Sequence, residues 1–259
     1  MSDNKQMSFL DHLEELRWRL MRSAIAVIIF AIVIWIYQKE IMENVFLIMV
    51  DPDFITFRLL CEYLHVCIDK IPVNFQSMTL SGQFSYALMM SIMGGAVLAF
   101  PYIFYQLWAF VKPGLKLKER NMARGIVFYV SVLFFTGIIF GYFVVAPLSV
   151  QFFGAFQITD QIKNDFTISS YMSTILSTVF YTGLFFLLPV VTYLLVKIGL
   201  FTPEFLVKYR KHAVVVILIL AAIITPPDVI SQVIVTIPIY LLFELSVLVA
   251  KRVAKNQKD

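Results

Sequence analysis

Six long apolar stretches constrain this chain more than any other feature: residues 23–37, 86–110, 125–148, 171–196, 213–224 and 229–250. A helix rises 1.5 Å per residue, so about 20 apolar residues cross a ~30 Å hydrocarbon core. Spanning strands would be about 10 residues long and would alternate apolar with polar side chains. These runs are longer and continuous, which makes them helices. Composition agrees, with 60% hydrophobic and 15% charged residues against roughly 45–50% and 25% in soluble domains. A water-soluble globule and a disordered chain are both excluded. Ten glycines and ten prolines in 259 residues likewise exclude collagen-like or low-complexity sequence. The expected fold class is all-α, a polytopic integral membrane protein with six transmembrane helices.

The fifth stretch is short. Only 13 residues separate His212 from Pro226, roughly 20 Å of helix, so it spans only where the bilayer thins or its ends are drawn in.

The basic residues set the orientation. Seventeen of the 21 lie before the first stretch, between the second and third, between the fourth and fifth, and in the tail. The opposite side holds Arg58, Lys70 and Lys163, with Lys39 at a boundary. The positive-inside rule places the first group, and with it both termini, in the cytoplasm. The chain then reads as one domain, 1–259, with cytoplasmic segments 1–22, 111–124, 199–212 and 251–259 and external loops 40–84 and 149–170. The same distribution forms no basic and aromatic stripe along which a phosphate backbone would run, so no nucleic-acid partner is expected. The first stretch lacks a small-x-small cleavage site and ends on Trp35 and Tyr37, an interfacial anchor. It reads as a retained span, and the lack of a transit peptide points to a bacterial inner membrane.

In the first external loop, Leu59, Leu60, Tyr63, Leu64, Cys67, Ile68 and Ile71 follow helical spacing and predict an amphipathic helix at the outer membrane face. Within such a helix Cys61 and Cys67 would stand about 9 Å apart along the axis. A disulfide needs Cα atoms within roughly 7 Å, so this reading predicts free thiols.

Catalytic patterns are scarce. The chain has no H-E-x-x-H, G-x-S-x-G or Walker loop. His12, His65 and His212 fall outside the apolar stretches, and Glu244 is the one carboxylate clearly inside one. No enzyme, catalytic residue, metal site or cofactor is expected. Glu244 lies seven residues from Lys251, ~10 Å below the cytoplasmic end. Ionisable groups there are costly and usually functional, and a functional role and a structural hydrogen bond stand equally open. Gly94, Gly95, Pro101, Gly137, Gly141 and Pro189 read as packing and kink positions, and Asp228 as the cap of the last helix.

Two cytoplasmic segments carry more information. Ser8 and Asp11 have capping-box spacing and start a helix near Phe9, with Leu13, Leu16 and Leu20 on one face. Glu14, Glu15, Arg17 and Arg19 line the others, and Glu15 can pair with Arg19 at i, i+4 for a few tenths of a kcal/mol. The 112–124 loop places a single carboxylate, Glu119, among five basic residues. One account has Glu119 offset local repulsion while the lysines meet anionic lipid. The other has Glu15 and Glu119 form a receptor for a cationic ligand, with arginine the natural partner because its planar fork binds a carboxylate through two parallel hydrogen bonds.

Several segments, in order, match a known pattern: His12-Leu-x-Glu15-Leu-Arg17-x-Arg19-Leu20, Gln106-Leu-Trp-Ala-Phe110-Val-x-Pro113, Lys118-Glu119-Arg120, Tyr142-Phe-Val-Val-x-Pro147-Leu, Thr225-Pro-Pro-Asp228-Val-x-Ser-Gln232 and Phe243-Glu244. Together they resemble the TatC family of the twin-arginine translocase, from residue 9 to about 250. The resemblance implies a receptor that binds twin-arginine signal peptides of folded export substrates. It further implies assembly with single-span TatA- and TatB-type subunits in a multimeric complex within the lipid bilayer. It places the signal-binding carboxylates on Glu15 and Glu119, with Arg17, Leu16 and Phe110 around them, and the partner-helix positions on Thr225 and Gln232. The chain departs from the family at Leu187, where many members carry glutamate, so no role of that carboxylate carries over. The rival class is a small-solute secondary transporter, which calls for an inverted repeat or a cluster of midplane charges. Neither stands in the sequence.

Overall fold

The structure is a computed structural model that describes residues 9–65, 67, 74–111, 125–156, 159, 165–197, 201–224 and 229–258. It is mostly helical, and among the described residues five helical stretches are long and apolar enough to cross a membrane: Asp11–Ile36, Gly82–Val111, Ile126–Ala155, Ile168–Val196 and Gln232–Arg252. They fall on five of the six expected spans. The expected fifth span is the helix Arg210–Ile224, 15 residues long, too short to cross a full hydrocarbon core unassisted.

The chain divides into two compact units, Met1–Gln38 with Ala87–Val132, and Lys39–Tyr86 with Leu133–Asp259. The first is built on α1 (Phe9–Ile36) and α3 (Gly82–Val111). The amphipathic helix expected near the N-terminus and the first span are thus one continuous element, helical from Phe9, the first described residue. Ser8 of the expected capping box lies outside the described residues. Two glycines let α1 and α3 approach closely. A Cβ on Gly95 would stand 2.7 Å from Ala31 N and from Val27 O, and one on Gly94 would stand 2.6 Å from Ile34 Cδ1. Small residues serve in this way wherever helices pack in lipid, since apolar side chains gain little by leaving lipid tails for each other. Pro101 is accommodated within α3 without ending it.

In the second unit a connector of short helical turns (38–50) leads to α2 (Ile55–Leu64). Strand β1 (Asn74–Gln76) pairs in parallel with β2 (Asp165–Thr167), Phe75 opposite Phe166, so a two-stranded ladder links the two loops expected outside. The third span, which belongs to this unit from Leu133 onward, consists of α4 (Ile126–Phe140), a π-helical turn at Gly141–Val145 and α5 (Ala146–Ala155). The fourth is α6 (Ile168–Phe185) and α7 (Leu188–Lys197), broken at Phe186 and Leu187 ahead of Pro189. That break follows from proline, which removes a hydrogen-bond donor and clashes with the preceding turn. The short α8 (Pro203–Lys208) then leads into α9 (Arg210–Ile224) and α10 (Val229–Lys258).

Glycines again set the contact between α4 and α6. A Cβ on Gly137 would lie 2.8 Å from Gly183 Cα and from Phe186 Cβ, and one on Gly141 would lie 3.0 Å from Val179 Cα. Gly137 and Gly141 form the small-xxx-small spacing of close-packed membrane helices. Val145, Ile217, Ala221, Val235 and Ile239 form one buried cluster, and Val196, Leu206, Val247 and Ala250 another.

The first loop expected outside departs from its expected form. The helix stops at Leu64, and His65 caps it with φ of 53°, the left-handed conformation that turns the chain back. The Cα atoms of Cys61 and Cys67 consequently come within 4.2 Å and the two residues form a disulfide. The free-thiol expectation is overturned because it assumed one helix through both cysteines, and Cys67 lies beyond the helix end. Ile68 and Ile71 lie outside the described residues. The loop is tied down by hydroxyls from the spans: Tyr142 donates to Val45 O at 2.7 Å, and Tyr171 donates to Phe46 O. Thr56 of α2 in turn donates to Phe143 O.

Candidate functional site

Along α1 one stripe faces α3, and its chemistry changes with depth. From its N-terminal end it runs His12, Glu15, Arg19, Ser23, Val27, Ala31 and Ile34, spaced by three or four residues as one helix face requires. Val27, Ala31 and Ile34 meet the glycines of α3. Ser23 is buried and its hydroxyl donates to Arg19 O at 3.0 Å. The His12 ring stacks on Phe110 of α3, centroids 4.2 Å apart. Leu13, Leu16 and Leu20, by contrast, are 46, 38 and 68% exposed. The apolar face of this amphipathic helix is therefore turned away from its neighbour and the polar face toward it. A lipid or ligand environment favours that arrangement, because polar groups leave it for protein partners.

Within the stripe Glu15 and Arg19 form the i, i+4 pair expected from their spacing. Arg19 Nε and Nη2 both donate to Oε1 of Glu15, at 2.9 and 2.5 Å. Arg19 Nη1 reaches Gln106 Oε1 of α3 at 3.4 Å. Glu15 Oε2 is buried and has no hydrogen-bond partner among the described residues. A carboxylate in this state keeps acceptor capacity for a further donor. Leu16 and Arg17 stand exposed beside it, and Phe110 is half-buried under the His12 ring. Glu119, the other expected carboxylate, lies outside the described residues.

The residues assigned to partner helices divide similarly. Thr225 and Asp228 lie outside the described residues, while Gln232 sits in the first turn of α10 and donates through Nε2 to Leu218 O of α9 at 3.1 Å. Glu244 is held twice: Arg210 Nη2 donates to Oε2 at 2.8 Å, and Tyr240 OH donates to Oε1 at 3.1 Å. Its ion pair joins α9 to α10 with both side chains partly exposed, at 39 and 28% for Arg210 and Glu244.

Three contacts here were missed in the sequence. Gln106 stood in the sequence as a motif position near the end of an apolar stretch, with no sign of its contact to Arg19. The partner of Glu244 was counted among the loop basic residues, although Arg210 opens α9. The stacking of His12 on Phe110 spans 98 positions and carries no local signal.

Continuous apolar helices, glycine-mediated helix contacts and polar clusters at helix ends define a multi-pass helical membrane protein. Residues 11–238 match the family model described as Sec-independent protein translocase protein (TatC). The chain is 36% identical to the Sec-independent protein translocase protein TatC of Blattabacterium sp. subsp. Periplaneta americana, covering 99% of each chain. It is 34% identical to that of Carboxydothermus hydrogenoformans, over 96% of this chain and 95% of that one. To TatCy of Bacillus subtilis it is 32% identical, over 95 and 89%. A crystal structure of the twin arginine translocase receptor TatC superposes with a TM-score of 0.71 at 31% identity, covering 94% of this chain and 99% of that chain. The chain belongs to the TatC family and is a protein-transport component built of membrane-spanning helices.

Proposed function

We propose that this protein is the receptor subunit of a twin-arginine export system in a bacterial inner membrane, with both termini in the cytoplasm and six spans forming one domain. The observation that carries the reading is the Glu15 carboxylate, one oxygen held by Arg19 and the other buried without a donor among the described residues. It stands at the end of α1 where the basic-residue bias puts the cytoplasm. A buried acceptor without a donor costs about 1–3 kcal/mol, which an incoming guanidinium would recover. In this reading Glu15 and Glu119 each take one arginine of the signal peptide, Arg17 belongs to the same patch, and Leu16 and Phe110 line it. Thr225 and Gln232 form the flank for single-span TatA- and TatB-type partners, beside the short α9. The fold and transport class of the family support a receptor over an enzyme.

The test is binding of a twin-arginine signal peptide to the full chain in detergent at low salt, beside the same peptide with both arginines changed to lysine. Lysine keeps the charge and loses the planar fork. Retention of the first peptide about tenfold or more over the second is expected. Equal binding of the two would remove the arginine receptor.

A further inference from the structure

An arginine beside a carboxylate ordinarily closes on it side-on, one nitrogen to each oxygen. Arg19 does not. It directs Nε and Nη2 to Oε1 alone and turns Nη1 toward Gln106 on the neighbouring helix. Gln106 is only 5% exposed, fixed in α3 one turn before Phe110, whose ring packs on His12. Glu15 Oε2 is left buried without a donor among the described residues, though an arginine with a further N–H stands against the same carboxylate.

We propose that Gln106 is a positioning residue for the ligand site: by accepting from Arg19 it keeps that guanidinium on one oxygen of Glu15 and reserves Oε2 for an arginine of the ligand. This rests on the receptor reading above. Without the amide acceptor, Arg19 is released to close over both oxygens of Glu15 and becomes an intramolecular competitor for the seat. The competition has a built-in advantage, because Arg19 is four residues from Glu15 on the same helix and is present at high effective concentration. Gln106 therefore acts on the ligand through Arg19, and its influence vanishes when Arg19 is removed.

The experiment is a double-mutant cycle on the full chain in detergent, with labelled twin-arginine peptide at low salt and size-exclusion to confirm the folded state. Gln106→Met keeps length and removes the amide acceptor, and should weaken binding about tenfold. Gln106→Glu keeps an acceptor at the same place, and should bind within about threefold of wild type. Arg19→Gln alone should stay within about threefold, and adding Gln106→Met to it should cost no further affinity, a coupling of about tenfold. Wild-type affinity in Gln106→Met overturns the proposal. So does a loss that persists in the Arg19→Gln background, since Gln106 would then act on the fold or on the ligand directly. Loss in Gln106→Glu equal to that in Gln106→Met also overturns it. Failure of the receptor reading shows separately, as wild-type protein that does not distinguish twin-arginine from twin-lysine peptide.

Discussion

Glu15 and Glu244 are both carboxylates that pair with an arginine, yet their surroundings give them different expected tasks. Glu244 has both oxygens engaged, by Arg210 and Tyr240, so its removal is expected to act on stability. Exposed pairs contribute up to about 1 kcal/mol and breaking a buried pair costs 3–5, and the partial exposure here puts Glu244→Ala at about 1–3 kcal/mol. Thermal unfolding in detergent should show a lowered midpoint, with Glu244→Gln intermediate because an amide oxygen can still accept from Tyr240. Glu15 has one oxygen uncommitted among the described residues, and its loss is expected to act on binding. A hydrogen bond to a charged group contributes about 1.5–3 kcal/mol, so Glu15→Gln should weaken twin-arginine peptide binding by about 10- to 150-fold. Titration calorimetry or anisotropy would read this, and an unchanged affinity would return Glu15 to a solvated helix pair.

Helix contacts in this protein depend on residues that take up almost no space. The α4–α6 approach leaves no room for a side chain at Gly137, where a Cβ would meet Gly183 Cα at 2.8 Å. Gly137→Val must push the two helices apart or distort both. Overpacking of this kind costs about 1–3 kcal/mol, and unfolding followed by proteolysis or thermal shift should report it. Gly137→Ala should fall between. A substitution to Val at the exposed Ile139 of the same helix is the control, expected to change little because that side chain is 57% exposed.

Orientation is a property of the whole molecule and follows from charge. With 17 basic residues in the four segments expected inside, a cysteine at Lys118→Cys, with Cys61 and Cys67 changed to Ser, should be shielded from an impermeant maleimide in intact cells and labelled after lysis. Labelling before lysis would invert the topology and move Glu15 to the wrong compartment for a cytoplasmic ligand. The loops expected outside carry their own tertiary links, the β1–β2 ladder and the Cys61–Cys67 disulfide. A disulfide there suits the oxidising side of the membrane.

What the sequence determined by itself is what depends on local composition and spacing. Continuous apolar length made helices and set most of their ends, because backbone groups in lipid can only be satisfied within a helix. The i, i+4 spacing of Glu15 and Arg19 predicted their pair, and small residues at 94, 95, 137 and 141 predicted close contacts. Tertiary structure decided what depends on where the chain turns and which helix lies opposite. The residue at His65 took a left-handed conformation, and that single backbone choice converted two cysteines too far apart on a helix into a disulfide. Likewise Gln106 met Arg19 across 87 positions and Arg210 met Glu244 across 34. In a membrane the apolar pattern does not say which face of a helix packs on protein, since lipid accepts apolar faces equally well. That is why the polar stripe of α1, with its half-satisfied carboxylate, came to light only when α3 was seen beside it.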